Sequence, residues 1–265
     1  MDAIDFENHD EVMKLIVKNG ELPQYLYKYM SMDIAKLILQ TGNVKFSNPA
    51  DFNDPFDCNI TIDTNNSEEE VAKYIDDVTK DKSFTDEQLK QIRENLTDSN
   101  KRFIITKNSI REAKKELGIT CFSKKHDNLL MWAHYANKHR GVVFKFDVLQ
   151  DADFFMTPFH VDYSAKYPVY NYIRDRERIA KLLLETKSFV WQYEDEVRVM
   201  KRGAGLYPIR KTALVGIIFG CQVSEEEKTE ISKIANEDDW KGIEYLSSKI
   251  KQWEFGLNFN KYIHQ

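Results

Sequence analysis

Ala213-Leu214-Val215-Gly216-Ile217-Ile218-Phe219 is a nearly continuous apolar run of strand length. A strand with one wet face alternates apolar and polar residues, so a run without polar positions marks a buried, central strand. Gly141-Val142-Val143-Phe144-Lys145-Phe146 is a second strong strand, interrupted only by Lys145. Outward from these two, the residue pattern predicts shorter strands at 26–29, 44–46, 118–123, 159–163 and 242–246. Helix patterns lie among them without regular βαβ spacing. The fold class that follows is α+β, with a mixed, mostly antiparallel sheet core and flanking helices.

Residues 1–25 read as an N-terminal helical extension whose amphipathic piece carries Val12, Leu15 and Ile16 and ends near Asn19-Gly20. The rest, 26–265, reads as a single domain. Ser31 is an N-cap and Gly42 a C-cap for a helix whose apolar face is Ile34, Leu37 and Ile38. A charged helical insertion or lid, rather than an independent domain, is expected at about 65–115. It carries capping boxes at Ser67…Glu70 and Thr85…Gln88 and sparse apolar anchors, Val71, Ile75 and Val78, then Leu89, Ile92 and Leu96. Further helices are predicted at 128–138, at 175–187 with Ile179, Leu182 and Leu183 inward, and after the capping box Ser224…Glu227.

A formal net charge of −5 argues against bulk binding to nucleic acid or to an anionic membrane, and leaves a local basic patch open. No apolar run reaches membrane-spanning length, and the acidic start, Met1 to Asp5, is unlike a secretory signal. Cys58, Cys121 and Cys221 are widely spaced and odd in number, which suits a reducing cytoplasm. The expectation is a cytoplasmic protein with no membrane partner.

Three segments hold residues suited to chemistry. Trp191-Gln192-Tyr193-Glu194-Asp195-Glu196-Val197-Arg198-Val199-Met200 reads as a strand, with Glu194, Glu196 and Arg198 on one face and Tyr193, Val197 and Val199 on the other. Such a strand is either a charge-protected edge or the wall of a cleft whose carboxylates stabilise a developing cation. The loop Asp51-Phe52-Asn53-Asp54-Pro55-Phe56-Asp57 offers carboxylates to a divalent cation. The same residues also suit a braced turn with Phe52 and Phe56 in the core, the better-supported reading. On a helix over 128–138, Leu130, His134 and Lys138 share a face, while Ser123, Trp132 and Tyr135 could meet a planar ligand. His126, His134 and His139 lack zinc-site spacing, and no nucleophile elbow, phosphate loop or dinucleotide fingerprint occurs.

Taken in order, Leu-Tyr-Lys-Tyr (26–29), Phe-Ser-Asn-Pro-Ala-Asp-Phe-Asn-Asp-Pro-Phe-Asp-Cys (46–58), Cys-Phe-Ser (121–123), Met-Trp-Ala-His-Tyr-Ala (131–136), His-Arg-Gly-Val-Val-Phe-Lys-Phe-Asp (139–147) and Tyr-Glu-Asp-Glu-Val-Arg (193–198) resemble a bacterial family, domain of unknown function 2971. The resemblance spans about 26–220 and implies no activity. More distantly, the order of strand, helix and Gly, then a strand ending in Ser with a Tyr-bearing helix, then Glu-x-Glu on a strand is similar to ADP-ribosyltransferases. That likeness implies NAD as substrate, a macromolecular acceptor and a role as toxin or antiphage effector. It places Lys28, or its neighbours Tyr27 and Tyr29, at the first NAD-contacting position, where the superfamily carries Arg or His. It places Ser123 and Tyr135 at the second, and makes Glu196 catalytic with Glu194 beside it. Two rival expectations are a Mg-dependent nuclease or phosphoesterase built on Asp51, Asp54 and Asp57 with Glu194 or Glu196, and a non-enzymatic binding module.

Overall fold

The structure is a computed structural model and describes residues 8–80 and 82–263. Residues 1–7, which include the acidic start and the first part of the expected N-terminal extension, lie outside the described residues. The chain forms two compact units. One comprises Met1–Ser47, Gly118–Val161 and Val190–Gln265; the other comprises Asn48–Leu117 and Asp162–Phe189.

The first unit is organised on an eight-stranded sheet. Its strands are β1 (Tyr25–Met30), β2 (Leu117–Ser123), β3 (Val142–Asp147), β4 (Pro158–His160), β5 (Glu196–Arg202), β6 (Leu214–Phe219), β7 (Glu244–Ile250) and β8 (Leu257–Lys261). They lie side by side in the order β8-β7-β6-β3-β1-β2-β5-β4. β6 and β7 run parallel, whereas β1 with β2, β1 with β3, β3 with β6, β4 with β5 and β7 with β8 run antiparallel. The expected mixed, mostly antiparallel sheet with flanking helices is what forms, and the class is α+β. β6 is interior, between β3 and β7, as its apolar run requires.

Alternation along the strands sends side chains into two different layers. Leu26, Met30, Phe144, Phe146, Val197, Val199, Ile217 and Phe219 join one core, together with residues of the helices His9–Lys18, Met32–Thr41 and Glu225–Glu237. Tyr29, Val143 and Ile218 face the other way and are covered by Met131 and Trp132 of the helix Leu129–Tyr135. Tyr29 meets Trp132 edge-on, with ring centroids 5.4 Å apart.

Several boundaries differ from expectation for identifiable reasons. Helix Met32–Thr41 has the expected caps: Ser31 accepts from the Ile34 amide, and Gly42 sits at φ 67°. Its buried face, however, is Met32, Ala35, Ile38 and Leu39, while Ile34 and Leu37 are exposed. Two apolar stripes overlap on this helix, and the inward one contains the small residue Ala35. In the N-terminal helix Met13 is buried, not Leu15. The strand expected at 159–163 divides at Val161, so that Asp162–Ser164 pairs in parallel with Thr186–Ser188 in the second unit. The helix expected at 175–187 is a 3-10 turn, Arg176–Arg178, followed by Ile179–Glu185, with Leu183 and Leu184 as its buried residues.

The second unit contains the helices Glu68–Thr79, Asp86–Thr97 and Ser99–Lys115, and the first two carry the capping boxes read from the sequence. Val71 and Ile75 are buried, whereas helix Asp86–Thr97 buries no residue fully. A small core of Ile110, Tyr170 and Leu183 holds this unit together. Among the described residues no helix is long and apolar enough to cross a membrane.

Gly220 follows β6 at a point where the backbone admits no side chain. A Cβ there would lie 2.2 Å from the His139 carbonyl oxygen and 3.0 Å from that of Gly141. Gly220 also donates its amide to the Gly141 carbonyl at 3.0 Å, so the loops cannot separate without breaking that bond. Gly220→Ala is expected to destabilise the protein by about 1–3 kcal/mol, the usual cost of overpacking, read as a lower urea midpoint.

Candidate functional site

Glu194-Asp195-Glu196 does not continue a strand. Phe189–Glu194 forms a 3-10 turn, Asp195 takes φ 45°, and β5 begins only at Glu196. The aromatic and β-branched flanks misled the sequence reading, because β propensity reports packing on a half-buried surface rather than backbone conformation. Asp is among the residues that tolerate a left-handed backbone. Its carbonyl accepts from the Lys124 amide at 3.0 Å, and its carboxylate lies 3.5 Å from Lys124 and 3.2 Å from Lys125. The end of β2 and the start of β5 are thus tied together beside Ser123 and Glu196.

The charged-edge reading fails as well, because β5 is flanked by β2 and β4. Glu196 and Arg198 do share a face, but a buried one, at 3% and 0% exposure. Arg198 Nε lies 2.8 Å from Glu196 Oε1, and Nη2 lies 3.3 Å from Oε2, a two-point grip of guanidinium on carboxylate. Val197 and Val199 point to the opposite core, so the carboxylate and guanidinium face the layer that holds Tyr29 and Trp132. Tyr193 does not join the two valines: it packs in that same layer, with its hydroxyl 3.0 Å from His134 Nδ1.

Other expected residues collect on this side. Tyr27 is paired in register with Ser123 across β1 and β2. Ser123 is buried, and its Oγ accepts from the Lys125 amide at 3.1 Å. Asn128 caps the helix Leu129–Tyr135, accepting from Leu130 and Met131, and donates its side-chain amide to the Tyr193 carbonyl at 3.0 Å. The helix thereby holds Tyr135, whose hydroxyl donates to Glu194 Oε1 at 2.5 Å. His126 sits between the rings of Tyr27 and Phe259, at centroid distances of 5.0 and 4.7 Å. Burial pushes the His126 pKa below the ordinary histidine value, while Asp127 raises it and Lys145 adds to the lowering. Burial pushes the Tyr27 phenol up, helped by Tyr25 and Asp127.

Lys28 leaves this group. Between Tyr27 and Tyr29 on a strand, it projects to the opposite layer, where Nζ donates to Thr120 Oγ1 at 2.8 Å and the Cys121 carbonyl at 3.0 Å. The ammonium also lies 5.1 Å above the Phe122 ring. Desolvation holds its pKa below the usual lysine range, against upward contributions from Cys121 and Glu196. Trp132 and Tyr29 serve as framework: the fully buried indole donates to the His126 carbonyl at 2.8 Å, and the Tyr29 hydroxyl donates to the Lys125 carbonyl at 3.1 Å. Lys138 does not share a helical face with His134, because the helix stops at Tyr135 and Asn137, Lys138 and His139 all have positive φ.

In the 51–57 loop, the Asp54 carboxylate accepts from the Phe56 amide at 2.9 Å, and Asp57 accepts from the Cys58 amide at 2.7 Å with Lys187 3.6 Å away. This is the braced turn, although Phe56 is exposed rather than in the core. Among the described residues no group of three or more His, Cys, Asp or Glu side chains could hold a metal ion.

The site is therefore a pair of buried carboxylates on the strand side of an α+β sheet, one gripped by arginine and one by a phenol, with Tyr27 and Ser123 on the neighbouring strands. The model of a family described as "Protein of unknown function (DUF2971)" matches residues 131–199, the stretch from the Tyr135 helix through Arg198. No curated protein and no solved structure matches the chain. The sequence pattern offered His126 only as a rejected zinc ligand, Tyr193 only as a flank of the acidic segment, and Asn128 only as the start of a helix. Asn128 alone carried a readable signal, an N-cap residue directly before an apolar helix.

Removing Arg198 leaves a carboxylate in the sheet without its guanidinium. Arg198→Met is expected to cost about 3–5 kcal/mol in unfolding free energy, measured by urea titration. His126 binds protons less readily folded than unfolded, so its contribution is fully present above the unfolded value, about 6.5, and is lost as pH falls through the folded one. His126→Phe should accordingly lose less stability than wild type between pH 7.5 and pH 5.5, as read from urea midpoints.

Proposed function

We propose that the protein is an ADP-ribosyltransferase-like enzyme that cleaves NAD at the nicotinamide–ribose bond and passes ADP-ribose to a macromolecule. One observation carries this reading. The three segments that the transferase likeness joins in one site lie on neighbouring strands, β1-β2-β5, with Tyr27, Ser123 and Glu196 on one face of the sheet. Tyr27, rather than Lys28, then occupies the first NAD-contacting position, and Ser123 and Tyr135 the second.

Breaking the glycosidic bond releases neutral nicotinamide and builds positive charge on the ribose carbon and ring oxygen. An ionised carboxylate held beside that carbon lowers the barrier, as in glycoside cleavage. Arg198 holds the Glu196 carboxylate by a two-point contact, a guanidinium gripping a carboxylate. Glu194, fixed by the Tyr135 hydroxyl, is the orienting carboxylate. The acceptor's nucleophilic atom then attacks the ribose carbon and gives up its proton. An acceptor essential to a cell would make the enzyme a toxin or an antiphage effector.

Purified protein incubated with NAD should release nicotinamide, followed by chromatography. Glu196→Gln should slow that release by about 10²-fold or more with an unchanged circular dichroism spectrum. Wild-type protein that neither binds nor consumes NAD would overturn the proposal.

A further inference from the structure

A concave surface lies within the sheet unit, built from residues that the proposed reaction does not use. The turn after helix Leu129–Tyr135 and the connection between β7 and β8 enclose a cavity of about 820 Å³. Trp253 and Phe255 line it at 90% and 103% exposure, and Ile250 adds an exposed aliphatic edge. Lys138, Arg140 and Lys251 line the same cavity. Lys138 and Arg140 are exposed, whereas Lys251 is paired with Glu254 at 2.6 Å. Large aromatic side chains standing in solvent forgo the burial that normally places them in a core, so an exposed pair beside a cavity marks a contact surface.

The backbone of the wall is strained in a way that serves this arrangement. Asn137, Lys138 and His139 follow one another at φ 46°, 56° and 66°. Asn and His tolerate a left-handed backbone better than most residues and Lys does not, and outliers of this kind gather at functional sites. Bonds on both sides hold the run: the His139 amide donates to the Trp132 carbonyl at 3.1 Å, and the His139 carbonyl accepts from Gln222 at 3.1 Å. The consequence is that Asn137, Lys138, His139 and Arg140, four consecutive residues, all line one cavity. His139 Nδ1 is buried without a hydrogen-bond partner.

We infer that this groove binds a single-stranded polynucleotide, with bases stacked on Trp253 and Phe255 and phosphates met by Lys138 and Arg140. Exposed ring faces combined with cations along a groove are the recurring means of holding single strands, since every base offers a π-face and every linkage a negative charge. Positive charge concentrated in this cavity, on a chain of net charge −5, supplies local complementarity to such a ligand. The amides of Asn137 and Gln252 in the wall suit base edges. A membrane surface is less well matched, because the rings border a concavity rather than a convex apolar face. The inference does not depend on NAD cleavage.

The test uses the full chain with fluorescein-labelled twelve-residue oligo-dT and oligo-U at about 50 mM salt, read by fluorescence anisotropy. Binding to at least one is expected, and the stronger of the two identifies DNA or RNA as the source. Trp253→Ala with Phe255→Ala should weaken it by about tenfold or more. Lys138→Gln with Arg140→Gln should reduce the slope of log affinity against log salt by about 1.4, which is 0.7 for each of two phosphate contacts. All four side chains are exposed, so circular dichroism and the rate of any NAD turnover should not change. The inference is overturned by absence of binding to both oligonucleotides, by binding that the aromatic variant leaves unchanged, by binding only to vesicles containing phosphatidylglycerol, or by loss in the aromatic variant of a dimer seen on sedimentation. Loss of NAD activity in wild type with oligonucleotide binding intact would remove the proposed reaction and leave the groove.

Discussion

The two-point contact between Arg198 and Glu196 is the constraint around which the sheet unit is arranged. Both groups are withdrawn from water on an interior strand, where either charge alone would be costly. Their shared face is fixed by strand alternation from Glu196 to Arg198, and so strand geometry must be established before Glu196. The left-handed residue Asp195 sets that start. Upstream of it the chain turns as a 3-10 segment, which frees Glu194 from the strand's alternation and lets it meet Tyr135. One backbone reversal therefore brings a guanidinium to Glu196 and a phenol to Glu194, two glutamates separated only by Asp195.

The parts of the fold written in local rules were legible. Capping boxes at Ser67, Thr85 and Ser224 all form, and the apolar run at 213–219 is an interior strand because no other position satisfies it. The parts decided by tertiary partners were not. Helix Met32–Thr41 has two candidate apolar stripes, and only its packing partners select the one through Ala35 and Leu39. The conformation at Asp195 depends on its amide donating to the Gln192 carbonyl and its carbonyl accepting from Lys124, the second partner lying outside the local segment. β8 carries Leu257 and Phe259 among Asn and Lys, a pattern too weak to announce a strand without β7 to pair with.

The candidate site was legible to a similar degree and for the same reasons. Glu194, Glu196, Ser123, Tyr27 and Tyr135 stand out in the sequence because polar residues set among aromatic ones mark polar groups near a packed surface, and the fold places Tyr27, Ser123 and Glu196 on one face of the sheet. Lys28 lay one residue from the right face, and a period of two makes that difference absolute. With Tyr27 and Ser123 in register, an odd step along β1 takes the side chain through the sheet to Thr120 and Phe122. The basic residue of this motif is thus a component of the opposite core, and its neighbours carry the polar face.

The seven-residue helix Leu129–Tyr135 joins the two surfaces. Too short to be stable alone, it persists through its Asn128 cap and the burial of Met131 and Trp132. Tyr135 at its last turn reaches Glu194, and the left-handed run that begins two residues later shapes the aromatic groove. Trp132 binds both ends of this unit: its indole N–H donates to the His126 carbonyl, and its own carbonyl accepts from the His139 amide. A buried tryptophan with two such bonds cannot shift without disturbing His126 on one side and His139 on the other. The position of the Tyr135 hydroxyl and the shape of the groove are consequently set by the same packed side chain.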